Sequence, residues 1–224
     1  MIGCGGPTGV NGRVDAVPCA VQAAAVRAGR ADAIHCTVPP TAEEWESLRG
    51  LRGLRKLVVE RGADDAAAAM IATLPDLERL VLRGSPLGDT GFARLAECPS
   101  LRDLNVPQAA CTATGVAALA RLPSLRSLRL GGPLLAGPAV CEAVVGLPRL
   151  RSLHLIDVAI GDAGLDRLRQ APALWTLYLD GAGVSDAAWE GYCRACPDVH
   201  VHVDQAHHDR DPRRHPHPLE GAPP

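Results

Sequence analysis

Two cysteines and two histidines near the C-terminal end have a spacing that suits a metal ion. Cys193 and Cys196 are separated by two residues, and His200 and His202 follow them. Thiolates and imidazoles at such spacings are ligands of structural zinc sites. Free cysteine also buries readily as a small apolar residue, and both cysteines occupy repeat positions that normally take small buried residues. We therefore predict two core cysteines and no bound metal or cofactor, with structural zinc as the alternative.

A second group of polar residues could carry acid–base chemistry. His154, Asp180 and His202 supply two imidazoles and a carboxylate, which are groups that often transfer protons in enzymes. Catalysis also needs a site that excludes water and holds a substrate. Between residues 31 and 203 the sequence shows neither a deep pocket nor an added domain. We expect a protein without enzymatic activity, and a hydrolytic or metal-binding protein is kept as an alternative.

An internal repeat determines where these residues lie. The pattern Leu-x-x-Leu-x-Leu, with Val sometimes in the last place, recurs every 23 to 25 residues, and further apolar residues and a closing proline recur with it. The first leucines of the six copies are Leu54, Leu77, Leu101, Leu125, Leu150 and Leu174. A weaker unit fits residues 31–53. The alternating apolar residues predict a short strand at the start of each unit, followed by a turn and a helix. Asp89, Asp162 and Asp186 are predicted to be N-cap residues of these helices.

These motifs resemble the leucine-rich-repeat family. The segment 160–165, Ile-Gly-Asp-Ala-Gly-Leu, and the period are similar to its bacterial, ribonuclease-inhibitor-like branch. The resemblance covers residues 31–203 and implies an α/β solenoid, a curved right-handed coil with parallel strands on its concave face and helices on its convex face. It also implies that the concave face binds proteins. The sequence departs from the family at the turn after the strand, where glycine or another residue replaces the usual asparagine.

The segments outside the repeat have a different character. Residues 1–30 are predicted to form a flexible N-terminus and, over 16–29, a helix that caps the first unit. Residues 31–203 form about seven units and a capping strand. Residues 204–224 are rich in proline, histidine and charge, which predicts a disordered tail. The tail histidines, which would bind added nickel or zinc loosely, are His207, His208, His215 and His217.

Composition restricts the class of protein further. The chain has 224 residues, a formal net charge of -2 and 3% aromatic residues. This charge balance does not indicate a nucleic-acid partner, and no apolar run approaches the roughly 20 residues of a membrane span. The N-terminus lacks the pattern of a secretory signal. We therefore expect a cytoplasmic, monomeric protein whose eight cysteines stay reduced.

Outward-facing residues of successive strands should form columns, because adjacent strands lie about 4.8 Å apart. The first column is His35, Val58, Val81, Asn105, Arg129, His154, Tyr178 and His202. With residues of a second column, its C-terminal half gives the predicted partner-binding set, Arg129, His154, Ile156, Tyr178, Asp180 and His202. Tyrosine and arginine are favoured anchors at interfaces. An ordinary solvated surface is the alternative.

A set of arginines recurs where the strands begin. Its members are Arg55, Arg102, Arg126 and Arg151. Like charges in one row need water, carboxylates or an acidic partner.

The function that fits the whole pattern is an interaction module or scaffold that binds an unidentified protein. A regulatory subunit that acts with a separate catalytic chain is a further alternative.

Overall fold

A single parallel sheet runs through the molecule. The computed structural model describes residues 17–204 and 206–207. Eight strands pair in sequence order, each parallel to the one before it. They are β1 (Ala33–Cys36), β2 (Lys56–Val59), β3 (Arg79–Leu82), β4 (Asp103–Val106), β5 (Ser127–Gly131), β6 (Ser152–Ile156), β7 (Thr176–Asp180) and β8 (His200–Val203). The repeated strand–helix units therefore form a solenoid-like α/β arrangement.

A helix follows each of the first seven strands, and one more precedes the sheet. The helices are α1 (Cys19–Arg27), α2 (Ala42–Leu48), α3 (Asp65–Ile71), α4 (Asp89–Leu95), α5 (Ala113–Ala118), α6 (Gly137–Val145), α7 (Gly161–Leu168) and α8 (Asp186–Ala195). From α1 to α8, each helix contacts the next one along the chain. Parallel strands need such crossover connections, and here the crossovers cover one face of the sheet.

Leucines from successive strands form a continuous column in the core. Register pairs Leu57, Leu80, Leu104, Leu128, Leu153 and Leu177 in that order. Each is at most 1% exposed. Helix residues such as Phe92 and Trp189 pack on the same core, so each unit buries its apolar face against its neighbours.

The aspartates predicted as N-caps have a different role. The N-cap residues are Gly88 for α4, Ile160 for α7 and Ser185 for α8, so Asp89, Asp162 and Asp186 fall inside the first turn. The assignment of these three aspartates as N-caps is wrong. A helical side chain leans toward the N-terminus of its helix, and for two of these aspartates that direction leads to the start of the next helix.

First-turn aspartates therefore join neighbouring units. Asp89 Oδ1 accepts hydrogen bonds from the backbone N–H groups of Thr112 (2.7 Å) and Gly115 (3.0 Å), and Asp89 Oδ2 accepts one from the Thr112 hydroxyl (2.8 Å). Asp162 accepts equivalent bonds from the N–H and hydroxyl of Ser185, both at 2.8 Å. Each aspartate thus satisfies open donors at the N-terminus of the following helix.

Gly115 allows the close approach that one of these contacts needs. A Cβ atom at this position would lie 2.6 Å from Asp89 Oδ1 and 2.9 Å from the Cys111 Cβ. Both separations are shorter than normal van der Waals contact. The glycine therefore lets α5 pack directly against the preceding unit.

The two ends of the described range close the sheet differently. At the N-terminal end, α1 packs on β1 and α2, and the Cys19 N–H donates to Glu44 Oε1 at 3.0 Å. At the other end, residues Ala206–His207 form strand β9, antiparallel to β8. The sequence predicted a disordered tail from 204, and this strand differs from that expectation because it satisfies open backbone groups at the edge of the sheet. The remainder of the tail, and the N-terminal segment before residue 17, lie outside the described residues.

Two further properties of the described residues bear on the class of protein. No helix among them has both the length and the apolar character needed to cross a membrane. The seven cysteines among them are free thiols, and all but Cys196 are buried.

Candidate functional site

The face of the sheet opposite the helices carries the predicted binding residues, and we call it the open face. Register places the first column in the predicted order, from His35 on β1 to His202 on β8. In β6 and β7 the core leucines alternate with half-buried residues on this face. The strands thus hold these side chains side by side, without any loop having to become ordered.

Four of the predicted residues make one connected row. His154 Nε2 lies 2.8 Å from Asp180 Oδ2, with the side chains 19% and 14% exposed. The His154 and Tyr178 ring centroids are 5.2 Å apart, and the rings are tilted by 30°. Tyr178 stacks on His202 at 4.2 Å and 23°. We call these four residues, His154, Tyr178, Asp180 and His202, the ring row.

The other two predicted residues flank the ring row. Arg129 is the register partner of His154, is exposed, and has no ion pair among the described residues. Ile156 is the register partner of Asp180. Arg129 also borders an open depression of about 330 Å³, lined by Arg79, Val81, Asp103, Asn105, Ser127 and others. All six predicted residues are therefore contiguous on the open face.

A similar imidazole–carboxylate pair lies at the opposite end of the open face. His35 Nε2 is 2.7 Å from Glu60 Oε1, which also accepts from Arg83 Nη1 at 2.6 Å. These bonds from Arg83 and His35 hold the pKa of Glu60 below its ordinary value. The neighbour of His35 in the first column is Val58, which is not an aromatic residue. The pair is thus a natural control for the ring row.

Sequence reasoning missed a third column on the open face. Register aligns Lys56, Arg79, Asp103, Ser127, Ser152, Thr176 and His200. Its last member is closest to the ring row, because His200 Nε2 lies 2.8 Å from His202 Nε2. The period of two, continued one step toward the start of each strand, would have identified this column.

The arginines at the strand starts do not form an unbroken row of like charge. Glu78 stands between Arg55 and Arg102, with ion pairs of 3.3 and 3.9 Å. Arg126 and Arg151 follow, joined by a backbone hydrogen bond of 2.8 Å. The next member of the row is Trp175, which sequence reasoning missed. Its backbone N–H donates to the backbone carbonyl of Arg151. This tryptophan is 58% exposed, and large exposed aromatic residues are common anchors of interfaces.

The cysteine–histidine group considered as an alternative zinc site does not assemble. Cys193 lies on α8 and is buried in the core, and Cys196 ends that helix. His200 and His202 contact each other on the open face, where His202 also stacks on Tyr178. Over the described range, no three histidine, cysteine or acidic side chains converge as metal ligands would.

No protein-family model and no curated protein matches the chain. The open face provides stacked rings, a hydrogen-bonded carboxylate and an adjacent guanidinium, all supported from below by a leucine core. These groups can stack on, hydrogen-bond to or pair with the charges of a ligand.

Proposed function

We propose that this chain is a leucine-rich-repeat protein whose open face, the concave face of that family, binds another protein through the ring row and Arg129. The observation that carries the proposal is the connected row of rings at 5.2 and 4.2 Å. A surface of that kind is already ordered and needs no folding step on binding. Preorganisation lowers the entropic cost of association.

Tyr178 is the expected centre of the interface. It lies between the His154 and His202 rings, which restrict its rotation before a partner arrives. A tyrosine ring offers a large apolar area with a hydroxyl that can stay hydrogen-bonded. Residues at the centre of an interface that combine these properties carry much of the binding energy.

Arg129 indicates what the partner presents beside that centre. Its guanidinium has no ion pair within the described part of the chain, and arginine binds carboxylates through two parallel hydrogen bonds. The depression beside Arg129 can receive a side chain of the partner. We infer a partner that places an acidic residue on Arg129 and an apolar or aromatic residue on Tyr178.

Binding fits the imidazole–carboxylate pair better than hydrolysis does. A histidine that acts as general base is oriented through one ring nitrogen and takes the proton with the other. Here the hydrogen bond to Asp180 uses His154 Nε2, the ring nitrogen farthest from the backbone. The described residues offer no hydroxyl hydrogen-bonded to His154. The pair thus serves as a rigid polar contact beside Tyr178.

The experiment is a binding measurement with a purified partner that has first been captured by the intact chain. Tyr178→Ala should weaken binding by about 30-fold or more, which is roughly 2 kcal/mol. Glu60→Ala, which breaks the pair at the far end of the open face, should leave the affinity within about twofold. Calorimetry on both variants, with melting curves to show that both are folded, makes the comparison.

One result would contradict the proposed binding surface. It is a partner whose affinity is unchanged in the double variant Tyr178→Ala and Arg129→Ala but is lost when exposed positions of α6 and α7 are substituted. The helical side would then be the binding surface.

A further inference from the structure

We propose that His200 and His202 together hold one divalent transition-metal ion that prefers a tetragonal arrangement, Cu(II) or Ni(II). The two Nε2 atoms lie 2.8 Å apart on one strand, and the ring planes are nearly perpendicular at 89°. Imidazole nitrogen is a preferred ligand of these ions. The proposal does not rest on the protein partner, although His202 also belongs to the ring row.

The positions of the two histidines follow from the strand. Residues two apart on a strand point to the same face. Strand β8, the last of the parallel strands, therefore places both imidazoles on the open face. Strand β9 pairs with the free edge of β8 through its backbone. The strand that carries the two histidines is therefore hydrogen-bonded on both sides, which holds their Cα atoms in place.

The distance between the nitrogens is compatible with both of them binding one ion. A metal ion about 2.0 Å from both nitrogens would see them at an angle of about 90° when they are 2.8 Å apart. A tetrahedral zinc ion requires about 109°, which would place the same atoms about 3.3 Å apart. Right-angled nitrogen ligands are typical of tetragonal Cu(II) and Ni(II) sites. With the nitrogens where they lie, a right-angled ion can bind both rings without moving them, whereas zinc would need the nitrogens about 0.5 Å farther apart.

One ring of the pair is already fixed in position. His202 is 5% exposed and stacks on Tyr178 at 4.2 Å, which limits rotation of its ring. Less rotational freedom is then lost when the ion binds. No third ligating side chain converges with the pair among those that the structure describes.

Binding of the ion moves one imidazole proton and releases none. Without metal, one imidazole donates its Nε2 proton to the other across the 2.8 Å contact. On binding, the donor ring moves that proton to its own Nδ1, so that both Nε2 lone pairs face the ion. No oxidation or reduction takes place.

The test uses the full chain with the four tail histidines replaced, H207Q, H208Q, H215Q and H217Q, so that loose binding by the tail is removed. We expect this parent variant to bind one nickel ion per chain in calorimetric titration with NiCl2, and to bind it more tightly than zinc. Loss of an outer-shell partner already costs metal sites about 10–100-fold in affinity. Loss of one of two ligands, in H200Q or H202Q, should therefore lower the affinity about 100-fold or more.

H35Q is the matched control, because His35 lies in the same column as His202 but at the other end of the sheet. Added to the parent variant, it should leave nickel binding unchanged. Electron paramagnetic resonance of the Cu(II)-loaded parent should show coupling to two nitrogens. Circular dichroism confirms that each variant is folded.

Three results would overturn the proposal. One is loss of stoichiometric binding once the tail histidines are replaced, which would leave adventitious tail binding only. Another is an affinity that H200Q and H202Q do not change. The third is tighter binding of zinc than of nickel, which would exclude the right-angled pair as the selecting feature.

Discussion

Removing the carboxylate of Asp89 should destabilise the boundary between two units rather than one helix. This carboxylate is the acceptor for three hydrogen bonds, two from Thr112 and one from Gly115. Both donors belong to the next unit, at the N-terminus of α5. In Asp89→Ala two backbone N–H groups and one hydroxyl lose their acceptor. The resulting loss of stability should thus exceed that of an ordinary surface substitution.

The magnitude follows from the bonds that are lost. A hydrogen bond to a charged group contributes about 1.5–3 kcal/mol net, and an N-cap substitution costs about 0.5–2 kcal/mol. The three bonds share one half-buried carboxylate, and water can replace part of them. We expect Asp89→Ala to lower the free energy of unfolding by about 2–4 kcal/mol. For a domain of this size, that corresponds to a fall in Tm of about 5–15 °C.

Asp89→Asn separates hydrogen bonding from charge. Asp89 Oδ1 accepts both backbone N–H bonds, and an asparagine oxygen can accept them as well. The asparagine variant should therefore retain more than half of the stability that alanine loses at pH 7. Asp162→Ala is the matched comparison, because the exposed Asp162 carboxylate accepts two bonds, both from Ser185. It should cost less than Asp89→Ala.

The advantage of aspartate over asparagine should depend on pH. Partial burial raises the pKa of Asp89, but the hydrogen bonds from Thr112 and Gly115 together bring it below its ordinary value. A depressed pKa in the folded state gives stability that is present above the ordinary value near 3.8 and is lost as the pH falls through the folded value. Urea melts from pH 7 down to pH 2.5 measure this difference.

A loss in the free energy of unfolding below about 0.5 kcal/mol in Asp89→Ala, or a larger loss in Asp162→Ala than in Asp89→Ala, would refute the reasoning.

Three further predictions concern the core. Leu128→Ala should lower the free energy of unfolding by roughly 2–5 kcal/mol in a denaturant melt, because the side chain is fully buried in the leucine column; a loss below about 1 kcal/mol would contradict that burial. Gly115→Ala should cost about 1–3 kcal/mol in the same assay, since its Cβ would lie 2.9 Å from the Cys111 Cβ. Burial raises the pKa of the Cys98, Cys111 and Cys141 thiols to about 12, so a thiol-specific reagent at pH 8 should leave them unlabelled until the chain unfolds, as mass spectrometry would show.

The sheet could be predicted almost residue by residue from the sequence, because its signal is periodic. Leucines that recur every 23 to 25 residues fix both the inward face of each strand and the register with the next. The first column of the open face follows from the same period. For this reason the sequence alone predicts that Arg129, His154 and Tyr178 lie side by side, as register confirms.

The features that sequence reasoning missed have several causes. An aspartate at the start of a helix is equally consistent with capping its own helix and with reaching the next one, and the hydrogen bonds of Asp89 and Asp162 run to the next one. Strand β9 follows a segment with the composition of a tail, and pairing with the edge of the sheet overrides that composition. Trp175 was overlooked because its position in other units is polar.

The two faces of the same strands differ in what they require, and this contrast supports a binding role for the C-terminal half. On the inner face, leucine occupies the column from Leu57 to Leu177. On the open face, the equivalent column changes from Val58 and Val81 to rings that contact one another. Packing alone does not require that change, because the strands pair in the same way at both ends of the sheet. The proposed partner, if it contacts the C-terminal half, would account for rings that the fold itself does not need.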